Sequence, residues 1–118
     1  MKLVLNKCYG GFSLSHAAIM RYCSHAGITV YAHPTEWGGH IYTTGISEDS
    51  ESFNEYDIER TDPSLVMTVE ELGTAAASGP CAALEVLDMH SGQLYRIMNY
   101  DGSEWLEFPS DIHWSVAT

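Results

Sequence analysis

Hydrophobic and polar positions divide the chain into segments of recognisable period. Leu3-Val4-Leu5 is a short unbroken apolar run and reads as a strand. The glycines of Lys7-Cys8-Tyr9-Gly10-Gly11-Phe12 then break the pattern. Leu14, Ala18, Ile19, Tyr22, Cys23 and Ala26 recur at helical spacing and share one broad face. That spacing predicts a helix to about Ala26, capped by Ser13 or Ser15 and ended by Gly27 in the left-handed conformation. Residues 28–33 are rich in β-branched and aromatic side chains and predict a strand. Pro34 to Gly39 is a loop, and His40 to Thr44 predicts a third strand, a hairpin partner of the second.

Further along, Asp62-Pro63 is a strong helix start, because Asp62 can accept from first-turn amides and proline suits the first helical position. The helix runs from Ser64 to about Ala77, with Leu65, Val66, Val69, Leu72 and Ala76 as its buried stripe, and Gly79-Pro80 stops it. Residues 82–89, 94–100 and 104–108 predict three more strands, the last two joined by a tight Asp101-Gly102 turn. The expected fold is α+β, a mostly antiparallel sheet of five or six strands with two helices packed on one face.

Composition narrows the function classes. The 118 residues form one expected domain, and 45% apolar content is enough to bury a core. Sixteen Asp and Glu against five Lys and Arg give a net charge of −11. Five basic side chains cannot neutralise many phosphates, which excludes a broad basic nucleic-acid interface; the field draws basic partners instead. No apolar run approaches the roughly 20 residues of a membrane span. Residues 1–7 lack the pattern of a signal peptide, so an intracellular protein is expected. Cys8, Cys23 and Cys81 show no paired spacing, and the six histidines show no familiar metal-ligand spacing. No catalytic motif is present. A protein with neither metal nor cofactor, and no enzyme, is therefore expected.

Four constellations are candidates for function. The first is the segment from Ser47 to Asp62. Its spaced carboxylates Glu48, Asp49, Glu51, Glu55 and Asp57 can imitate a phosphate backbone; the alternative is a solvated surface loop. Its first part reads as mobile, with Phe53 and Tyr56 pinning the far end. The second is Trp37 beside Gly38-Gly39, an aromatic anchor for a partner or a residue tucked into the core. His33 and His40 nearby are a conceivable metal pair, against the commoner reading as isolated residues. The third is the loop before the first helix, where Lys7, Tyr9, Gly10, Gly11 and Phe12, with Arg60, form an alternative site for a nucleotide or small anion. Its competing reading is a structural glycine turn with a buried Cys8. The fourth is Tyr95, Tyr100, Trp105, Phe108 and Trp114, most of which are expected to pack in the core.

Three blocks carry a resemblance that spans most of the chain. They are Leu5 to Phe12 with Ser13-Leu14-Ser15, Glu59 to Pro63 with Leu65 and Val69 to Gly73, and Tyr100-Asp101-Gly102 with Glu104 and His113-Trp114. Together they resemble a family of small phage and prophage proteins. The segment from Ala17 to Glu55 departs from that pattern. The resemblance implies a phage origin, and with it an anti-defence inhibitor of the anti-CRISPR kind acting in the cytoplasm of a bacterial host. The implied partner is a host defence effector whose basic nucleic-acid groove is occupied by the acidic segment.

Overall fold

The computed structural model describes residues 1–118. Its strands are β1 (Lys2–Asn6), β2 (Tyr31–Pro34), β3 (His40–Thr43), β4 (Leu84–Asp88), β5 (Arg96–Tyr100) and β6 (Ser103–Glu107). Its helices are α1 (His16–Ala26) and α2 (Pro63–Ala77), with short 3-10 turns at Glu55–Asp57 and Pro109–Asp111. The class is α+β, as the periodicity indicates. The strands, however, do not form one sheet: they form three antiparallel pairs, β1 with β4, β2 with β3, and β5 with β6.

The apolar run of β1 explains the layering. Leu3, Val4 and Leu5 are all fully buried, so both faces of the β1–β4 ladder are covered. Val4 and Leu84 join the larger core with Leu14, Ala18, Ile19, Tyr22 and Cys23 of the α1 region and Leu65, Val66 and Val69 of α2. Leu3 and Leu5 face the other way, into a smaller core with Met89 that Ile97, Leu106 and Phe108 cover. Both helices thus lie on one face of the ladder and the β5–β6 hairpin on the other.

One backbone carbonyl and one side chain, instead of a strand, occupy the outer edge of β1. Lys7 N donates to Ala83 O at 2.8 Å and Met89 N to Met1 O at 2.7 Å, which fixes the ladder's phase. The outward amide of Val4 donates to Arg60 O at 2.9 Å, and that of Asn6 to Glu104 Oε1 at 2.8 Å. The ladder stops there because β6 meets β1 through a carboxylate instead of a carbonyl.

Local signals act as the sequence indicates. Ser15, rather than Ser13, caps α1 by accepting from Ala18 N at 3.1 Å, and Gly27 ends it at φ 72°. Asp62 caps α2 by accepting from Ser64 N at 2.8 Å, and also accepts from Tyr22 OH at 2.8 Å. The α2 stripe departs from expectation at its end: Ala77 is buried and Ala76 exposed. Gly73 leaves helical geometry (φ 81°, ψ 164°), so the last turn is rotated relative to the first three.

The expectation that most C-terminal aromatics enter the core fails. Tyr95 and Phe108 are half-buried, but Tyr100, Trp105 and Trp114 are exposed. The β5–β6 hairpin has only one covered face, carrying Ile97, Glu104 and Leu106; Tyr100 and Trp105 point from the other.

Candidate functional site: an acidic hairpin end

The β2–β3 hairpin is held to the body by a ring stack. His16, the first residue of α1, stacks on His40 with centroids 4.3 Å apart, and its Nδ1 bonds the Tyr42 hydroxyl at 2.8 Å. His33 bonds Thr43 Oγ1 at 2.7 Å. His33 and His40 therefore serve different partners, and no three His, Cys, Asp or Glu side chains converge as a metal-ligand set. At the hairpin tip Gly38 and Gly39 take φ of 83° and 73°, which only glycine adopts without strain, and Trp37 is 91% exposed.

The acidic segment folds back against this hairpin. Thr44 N donates to Glu51 O at 2.9 Å, Phe53 N donates to Tyr42 O at 2.9 Å, and Thr43 forms a bridge with Ser52. Residues 45–50 thus become a closed loop beside β3. Phe53 pins the far end as expected, packing on Tyr22 at 6.2 Å; Tyr56 does not, being exposed.

The predicted partner-binding residues separate into two groups. Trp37 and Glu48 come together with His33, Glu36 and Ile41 around an open hollow of about 380 Å³. Asp49 and Glu51 are exposed on the same loop, beside Ile46, itself 80% exposed. Glu55 instead turns inward and accepts from Leu14 N at 2.6 Å. Burial raises its carboxyl above the usual range, and the Leu14 amide only partly offsets this. Asp57 is exposed in the adjoining 3-10 turn.

The distribution of cations leaves this end electrostatically open. Lys2 pairs with Glu70, Arg21 with Glu71, Arg60 with Glu104 and Arg96 with Glu107. Of the five basic side chains only Lys7 lacks an ion-pair partner. Glu36, Glu48, Asp49, Glu51 and Asp57 take none of these cations.

No family model, curated protein or solved structure matches the chain.

The alternative anion site has a different geometry from the one its spacing invites. Arg60 donates to both oxygens of the buried Glu104, at 2.5 and 2.7 Å, and lies 3.9 Å over the ring of Phe12. An anion at Arg60 would have to displace that carboxylate. Phe12 is buried beneath the guanidinium and is not free to stack a base. Gly10 N donates to Asp101 O at 3.0 Å, and a Cβ on Gly102 would stand 2.1 Å from Gly11 N. The two glycines therefore admit the β5–β6 turn, while Lys7 and Tyr9 remain exposed.

Asn6, which the motif reading passed over, organises this region. Fully buried, it donates from Nδ2 to Cys8 O and Gly102 O, both at 2.7 Å, and accepts at Oδ1 from Ala83 N at 2.9 Å. The signal available was a polar residue ending a run of three buried apolar ones, which demands internal partners. The motif-like parts of the sequence thus meet one another: residues 6–12, Arg60, and 101–104.

Proposed function

We propose that this chain is a non-enzymatic binding protein that inhibits a host defence effector, its acidic hairpin end entering a basic groove made for nucleic acid. The observation that carries this reading is the joint exposure of Trp37 and unpaired carboxylates around one hollow. An exposed indole flanked by glycines has the character of an anchor, since aromatic side chains dominate binding energy at interface centres. Glu36, Glu48, Asp49 and Glu51 supply charge that the chain's own cations do not cancel, which favours fast, salt-sensitive association with a basic surface. The resemblance to small phage proteins provides the setting, and the acidic end lies within the segment that departs from that family's pattern. No helix is long and apolar enough to cross a membrane.

The test is capture of an RNA- or DNA-guided effector or a nuclease by tagged protein at low salt, with DNA as competitor. The expected result is retention that DNA and high salt each abolish. The triple reversal Glu48→Lys, Asp49→Lys, Glu51→Lys should abolish capture, and Trp37→Ala should weaken it at least tenfold. Unchanged capture by the triple reversal refutes the reading.

A further inference from the structure

Residues 112–118 are the part of the chain that nothing yet explains. Ile112, Trp114 and Val116 alternate with His113 and Ser115, the period of a strand with one apolar face. The segment nonetheless pairs with nothing: its residues belong to no ladder, Trp114 is 90% exposed and Val116 89%. It also contains no Asp, Glu, Lys or Arg side chain.

The matching vacancy lies on β4. The ladder's phase turns the amides and carbonyls of Val86 and Asp88 away from β1, and no group of the protein bonds them. Further back the same edge is closed, since Leu84 N donates to Ser78 Oγ at 2.9 Å and Leu84 O accepts from Thr74 Oγ1 at 2.8 Å. Where the edge is open, Asp88, Met89, His90, Gln93 and Phe108 surround a hollow of about 420 Å³. An indole fits such a space, and an open strand edge is a template for another strand.

We infer that two copies of this chain pair by exchanging residues 112–116, each segment adding as an antiparallel strand to the partner's β4 edge with Trp114 seated in the hollow. A second copy is the occupant because strand and socket reside on one chain, so a twofold arrangement satisfies both at once and closes. The segment brings no ionic side chain of its own to a contact between two strongly acidic molecules. The area agrees. The chain exposes 7618 Å², whereas a compact monomer of this mass exposes about 6,400 Å². The excess, about 1,200 Å² per chain, is more than the roughly 800 Å² that a standard interface hides on each partner. This contact is separate from the acidic hairpin end and does not depend on it.

Sedimentation velocity from micromolar to millimolar protein tests the exchange, with circular dichroism as a check on folding. The intact chain should form a dimer. Trp114→Ala should weaken it at least about thirtyfold, as loss of a central aromatic anchor does. Asp88→Pro should do the same by removing an outward amide that β1 does not use, while Asp88→Ala, which keeps the amide, should dimerise normally. A mixture of Trp114→Ala and Asp88→Pro chains should recover part of the association, because one of the two exchanges remains intact. A monomer at every concentration overturns the proposal. So does a dimer indifferent to either Trp114→Ala or Asp88→Pro, since the segment or the edge would then lie outside the contact.

Discussion

Removing the Glu104 carboxylate is the sharpest test of how this fold is held. Glu104 is 5% exposed and accepts from Asn6 N and from both terminal nitrogens of Arg60. Glu104→Ala leaves a guanidinium with no counter-charge and a fully buried amide with no acceptor. Breaking a buried pair from one side costs about 3–5 kcal/mol, and an orphaned amide alone about 1–3 kcal/mol. The Arg60 side chain keeps 22% of its surface in water, so the lower end of the first range applies and the second is partly contained within it. The expected loss is about 3 kcal/mol. With a urea slope of about 1.5 kcal/mol per molar, the midpoint should fall by roughly 2 M. Glu104→Gln keeps an acceptor for Asn6 and should lose less. The double variant Arg60→Met, Glu104→Leu should recover much of the loss, because neither charge then remains buried. Urea unfolding followed by circular dichroism reads all four proteins. A loss under about 1 kcal/mol for Glu104→Ala, or a double variant no more stable than Glu104→Ala, would refute the argument that this pair closes the edge of β1.

Other consequences are as direct. Gly102→Ala forces a Cβ to 2.1 Å from Gly11 N at a φ of 93°, and should lower thermal stability far more than Gly38→Ala, which meets open space at φ 83°. Burial and the Asp62 hydrogen bond push the Tyr22 hydroxyl up to about 12. The fold therefore holds that proton more tightly than the unfolded chain, and Tyr22 contributes stability that is lost as pH rises from about 10 to about 12; Tyr22→Phe should flatten that decline in pH-dependent melts. Glu55 is displaced upward by burial, so Glu55→Gln, which can still accept from Leu14, should be at least as stable as the parent at pH 7. That advantage should vanish as pH falls through the carboxylate range. Burial raises the Cys23 thiol to about 11, so a thiol reagent should modify exposed Cys81 first and Cys23 only on unfolding.

Particular residues show what was legible in the sequence. Both helices, their caps at Ser15 and Asp62, and the Asp101-Gly102 turn follow from local chemistry, and local chemistry is visible in a string of residues. The separation of the strands into three pairs was not legible. Between β1 and β6 it depends on a carboxylate reaching β1 from a residue 98 positions away, and no periodicity encodes such a meeting. The rotated end of α2 was hidden for a related reason: Gly73 is tolerated inside a helix, and nothing local announces that here it breaks one. At the hairpin end, Trp37 beside two glycines and the acidic character of residues 48–51 were readable, but not which of anchor or core position Trp37 takes; the structure leaves it 91% exposed. The meeting of Trp37 with Glu48 at one hollow was not, because it requires the loop to fold back on β3. Glu55 differs from its acidic neighbours only in three dimensions.

The closure of β1 by residues far along the chain sets an order on biosynthesis. During translation, residues 2–6 leave the ribosome long before their partners exist. One side of β1 waits for Leu84–Asp88, and the other for Arg60 and then Glu104. Leu3-Val4-Leu5 therefore spends most of synthesis as an unprotected apolar segment, and the native state becomes reachable only when nearly the whole chain has emerged. Folding should be slow for a protein of this size, governed by distant contacts more than by its helices. Chains truncated ahead of Glu104 should be prone to aggregate and attractive to chaperones.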